Sequence, residues 1–114
     1  MPPNLDDVRQ ELIGRMEADD CRCTERAERD GKAILRRDRL PPTEREIVRY
    51  VLRLLRDGYP FHRIRRGQPE GSLPDGHVMN NADGRGLYIE MTIERGEVWI
   101  VSFHTSIHYK GAQE

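Results

Sequence analysis

The chain has only two cysteines in 114 residues, Cys21 and Cys23, two residues apart. They make no disulfide framework, so the fold must be held by its core. Aromatic residues are scarce at 6%, and hydrophobic residues at 36% barely exceed charged ones at 34%, which points to a small core under a heavily charged surface. No apolar run approaches the length of a bilayer-spanning helix, so no membrane partner is expected. Neither sign of charge is in excess. A net charge of −1 argues against a protein that binds nucleic acid through bulk positive charge, though not against a local basic patch. The opening Met1-Pro-Pro-Asn-Leu-Asp-Asp has no basic start and no apolar core, so a cytoplasmic, reduced protein without a secretory leader is expected.

The length suits one domain with a single core. It divides into a helical half over 1–58, a sheet half over 59–109 and a short tail over 110–114. Asn4 is a candidate N-cap, with Asp6 and Asp7 in the first turn and Leu5, Val8, Leu12, Ile13 and Met16 on one helical face. Thr24 is placed to cap a second helix through Ala27, Ala33, Ile34 and Leu35, with Gly31 an unfavourable residue in its middle. Thr43-Glu44-Arg45-Glu46 reads as a capping box ahead of Ile47, Val48, Val51, Leu52, Leu54 and Leu55, and Gly58 and Pro60 end that helix.

The period then changes. Short strands are expected over 61–66 and 77–81, separated by the turn-rich 67–76. Two β-prone runs, 87–94 and 97–104, flank an Arg95-Gly96 turn and read as a hairpin. An unbroken ladder from that turn pairs Ile93 with Val98, Met91 with Ile100, Ile89 with Ser102 and Leu87 with His104. That face would receive the helices; Tyr88, Glu90, Thr92, Trp99, Val101 and Phe103 would occupy the other. The fold class expected is therefore α+β, with N-terminal helices packed on one face of a small, mainly antiparallel sheet of three to four strands.

Candidates for chemistry cluster in the second half. Histidine titrates near neutrality, so a pair can act as proton donor and acceptor. His62 and His77 sit at the starts of the two short strands, and His104 and His108 lie four apart on the last segment; each is also consistent with an ordinary surface histidine. Arg63, Arg65 and Arg66 beside His62, with Arg85 before the hairpin, could grip phosphates if the first of these strands bordered the last. The competing reading is a charged edge strand that resists aggregation. Tyr59, Tyr88 and Trp99 are available for stacking. Cys21-Arg22-Cys23 offers thiolates, but with fewer intervening residues than structural zinc sites use, and the plain alternative is two small residues at a helix junction. Residues 43–58 superficially match the first helix of a helix-turn-helix, yet Tyr59-Pro60-Phe61 and Gly67-Gln68-Pro69 leave no recognition helix after it.

With these residues in view, the second half resembles the MqsR family of messenger-RNA interferases, the toxins of bacterial toxin–antitoxin pairs. That family ends in a hairpin whose first strand opens on a tyrosine and whose second reads Ile-Val-Ser-Phe before a basic catalytic residue. Here these are Tyr88, then Ile100-Val101-Ser102-Phe103 and His104, in a hairpin one residue longer. Phe61-His62 stands where the family has an aromatic–basic pair after a helix. Histidines thus replace both catalytic lysines, and the family's glutamine has no counterpart near Gly76 or His77. The resemblance, over roughly 22–108, implies a RelE-like fold, single-stranded RNA as substrate, an antitoxin partner and no cofactor or metal. It casts His62 and His104 as the acid–base pair, Tyr88 as a phosphate- or base-positioning residue, and Arg63, Arg65, Arg66 and Arg85 as RNA contacts. A non-enzymatic interaction module of the same fold, such as a phage-encoded inhibitor or toxin-like regulator, is the alternative that composition leaves open.

Overall fold

The computed structural model describes residues 5–36, 43–64, 75–82, 84 and 86–105, except the side chain of Asn81. Among them are three helices, α1 (Leu5–Glu17), α2 (Glu25–Leu35) and α3 (Glu44–Arg56), and five strands, β1 (Cys21–Cys23), β2 (His62–Ile64), β3 (Gly76–Ala82), β4 (Leu87–Glu94) and β5 (Glu97–Thr105). The fold is α+β as expected.

The helices begin and end for local reasons. Thr24 Oγ1 accepts from Ala27 N and caps α2, and Thr43 Oγ1 accepts from Glu46 N and caps α3. Glu46, the reciprocal member of the α3 box, pairs with Arg49, and the first-turn Glu44 Oε2 accepts from Cys23 N. At the other end of α3, Gly58 N and Tyr59 N bond to Leu55 O and Leu54 O, a Schellman close that needs the positive φ of Gly58. The same close ends α1, but there Asp19 takes the left-handed position at φ 67. Gly31 has a packing explanation. A Cβ built on it would lie 2.9 Å from Ile47 Cδ1, so a larger residue there would require the core side chain of Ile47 to shift.

Strand order is β1-β5-β4-β3-β2, antiparallel except for β1, which runs parallel to β5. The sheet therefore has five strands rather than three to four. The additional one is Cys21-Arg22-Cys23, a segment too short for its alternation to stand out in the sequence. Val8, Leu12 and Met16 of α1, Ala27 of α2 and Ile47, Val51, Leu54 and Leu55 of α3 bury one sheet face, packing on Met79, Ile89, Met91, Val98, Ile100 and Phe103. No described helix is long and apolar enough to cross a membrane.

The hairpin departs from the unbroken ladder at one point. Ile93 faces Val98 and Met91 faces Ile100, but the register shifts between Glu90 and Met91, so that Glu90 faces Ser102, Ile89 faces Phe103 and Tyr88 faces His104. Val101 is the extra residue of a β-bulge. Without it, Ser102 and His104 would enter the apolar core and Phe103 would leave it, because a one-residue slip exchanges faces. With it, Phe103 is completely buried and His104 faces away from the helices. The extra residue in this hairpin is thus what places the candidate catalytic histidine.

Candidate functional site

The sheet face opposite the helices collects the polar candidates. Strand alternation and the observed register put Tyr88, Glu90 and Thr92 of β4 on it, with Trp99, Ser102 and His104 of β5, Val78 of β3 and His62 of β2. Across the sheet, His62, Val78, Glu90 and Ser102 form one row of paired residues.

His104 and Tyr88 make the closest constellation. Their rings stack at a centroid distance of 5.0 Å and an interplanar angle of 16°. The Tyr88 hydroxyl donates to Glu90 Oε1 at 3.1 Å. Glu90 is only 4% exposed, and placing a carboxylate so deep is costly unless it is held by polar partners. His104 Nδ1 lies 3.0 Å from Thr105 O. A carbonyl only accepts, so Nδ1 carries the hydrogen in this arrangement, which leaves proton exchange to Nε2. The half-buried His104 is thus held at Nδ1 and stacked on one side by an aromatic ring.

The other expected residues are placed differently. His62 shares the face with His104, but β2 and β5 are separated by β3 and β4. Three strand spacings put their backbones about 14 Å apart laterally. The structure does not bring these two histidines together as it does Tyr88 and His104. The first short strand borders β3 rather than the last strand, so Arg63 does not stand beside His104. Arg63 faces His77 across the ladder on the helix side and pairs with Asp75 at 3.5 Å. Arg65, Arg66, Arg85 and His108 lie outside the described residues.

His77 is buried on the helix side against the Phe61 ring, edge to face at 5.9 Å. Its Nδ1 has no hydrogen-bond partner among the described residues, and burial pushes its pKa below the ordinary value. Cys21 and Cys23 also face the helices. Burial, reinforced by Glu44, pushes both thiols up to about 12, so they are protonated and unreactive at neutral pH. They are on the opposite sheet face from His62 and His104, and among the described residues no cluster of three metal-ligating side chains forms. A groove of about 750 Å³ between α1, β1 and α3 carries charges of both signs, Glu17, Asp19 and Glu44 against Arg22, Arg45, Arg49 and Arg56, and no histidine among the described residues lines it.

Glu90 is the site residue that sequence reasoning overlooked. Its signal was present: Tyr88 and Glu90 are two apart on a strand and so share a face. What could not be read was the bulge that brings His104 beside them. No protein-family model, curated protein or solved structure matches the chain.

Proposed function

We propose that this protein is an endoribonuclease of the cytoplasm that cleaves single-stranded RNA without a metal, and that it serves as the toxin of a bacterial toxin–antitoxin pair. The observation that carries the reading is the oriented His104: its Nδ1 is occupied by Thr105 O, and its ring is stacked on Tyr88, which Glu90 holds in turn. The MqsR-like hairpin supplies the substrate class and the antitoxin partner.

In this reading His104 Nε2 takes the proton of a ribose 2′-hydroxyl. The 2′-oxygen attacks the adjacent phosphorus, the bond to the 5′-oxygen breaks, and that oxygen is protonated from solvent. The products are a 2′,3′-cyclic phosphate and a 5′-hydroxyl. Tyr88 is a positioning residue that fixes the imidazole plane, and Glu90 fixes Tyr88. His62 is too far across the sheet to act on the same phosphodiester in this arrangement.

The test is cleavage of a single-stranded RNA in EDTA. His104→Ala is expected to lose roughly 10²–10⁴-fold in rate, the range for a general base. Tyr88→Phe, which keeps the stacked ring, retains more activity than Tyr88→Ala, and His62→Ala stays near wild type. Absence of cleavage by the wild type, or equal cleavage by His104→Ala, would refute the reading. The net charge of −1 favours the second reading, a non-enzymatic interaction module of the same fold, which predicts no cleavage by any variant.

A further inference from the structure

The same sheet face extends beyond His104 to a second feature that the cleavage step does not use. Trp99 pairs with Arg22 of β1 on one side and Thr92 of β4 on the other, so all three side chains share the face that carries His104. Trp99 is half-buried. The Arg22 side chain is 60% exposed, and its Nε donates to Glu97 Oε2 at 3.2 Å. The guanidinium is otherwise largely open to solvent. An aromatic ring beside a guanidinium fork is the pairing that receives a nucleobase and its phosphate: the ring stacks the base and the fork grips the anion.

We propose that Trp99 and Arg22 form a subsite for one nucleotide of single-stranded RNA, upstream or downstream of the bond cleaved at His104. The ligand class rests on the ribonuclease reading; the subsite itself rests on the Arg22–Trp99 row. The ladder partners of Trp99 and His104 are Thr92 and Tyr88, four residues apart on β4, so the subsite and the imidazole are separated by about 14 Å. Val101 and Ser102 lie between them. A short stretch of unpaired RNA backbone spans that distance with its bases turned toward the sheet. A duplex keeps its bases stacked on one another and cannot offer one to Trp99.

Trp99 is the only tryptophan, so its fluorescence reports on its own contacts. The experiment titrates the wild-type protein with an end-labelled single-stranded RNA methylated at every 2′-oxygen, which the proposed mechanism cannot cut. Anisotropy measures binding and Trp99 emission measures stacking. The expected result is saturable quenching that follows the anisotropy and is absent with the duplex of the same sequence. Trp99→Ala weakens binding about tenfold, within the range for losing one base–aromatic stack. Trp99→Phe loses less, and Arg22→Ala, at an exposed position, weakens binding and flattens its salt dependence.

Binding without quenching, equal affinity of a folded Trp99→Ala variant, or no binding at all overturns the subsite, even if the wild type cleaves unmodified RNA. Quenching with the expected loss in the variants sustains the subsite even if no RNA is ever cleaved, in which case the ribonuclease reading alone fails.

Discussion

Phe103→Ala tests the bulge, and with it the placement of His104. Phe103 is completely buried, meets the Tyr50 ring edge-on at 5.8 Å, and lies against Gly31, which has no side chain to swing into a vacated space. Truncating a core phenylalanine costs about 3–5 kcal/mol, and a site that collapses poorly belongs in the upper part of that range. We expect about 4 kcal/mol, a large share of the roughly 5–15 kcal/mol that holds a domain together. His104→Ala removes a half-buried ring and one stacked contact, worth about 1 kcal/mol. Urea unfolding followed by far-UV circular dichroism and Trp99 emission measures both. An unbulged ladder would reverse the order, with His104 in the core and Phe103 outside it. A Phe103→Ala cost below about 1.5 kcal/mol, together with a larger cost for His104→Ala, would refute the register and the site built on it.

Three further outcomes follow from particular contacts. His77 is buried with its pKa held below 6.5, so as pH falls through 6.5 the unfolded chain takes up a proton that the folded one refuses; stability falls from pH 7.5 to 5, and His77→Leu flattens this dependence in urea titrations. Gly31→Ala gains about 1 kcal/mol of helix propensity but forces a methyl to 2.9 Å from the core side chain of Ile47, for a net loss of about 1 kcal/mol by thermal denaturation. Asp19→Gly relieves a left-handed residue at φ 67 and stabilises by about 0.5–1 kcal/mol in the same measurement.

How much of this was legible in the sequence depended on the range of the interaction that decides each feature. Thr24, Thr43 and Gly58 announced their helix ends because capping is settled within a few residues. The Arg95-Gly96 turn and the apolar face of β4 were equally plain. β1 was not, since three residues beside a helix become a strand only because β5 offers a parallel edge. The bulge was also hidden: Val101 looks like any strand residue, and only the competition between Phe103 and His104 for the core decides that it is skipped. The pairing of Tyr88 with His104 followed from that choice, as did the wide separation of His62 from the order of the sheet.

The most direct test of the central claim is the chemistry of the product. Wild-type protein incubated with single-stranded RNA in EDTA should yield fragments whose mass carries a 2′,3′-cyclic phosphate, His104→Ala should yield almost none, and His62→Ala should yield them at nearly the wild-type rate. Intact RNA, fragments bearing a 5′-phosphate, or equal yields from wild type and His104→Ala would contradict it.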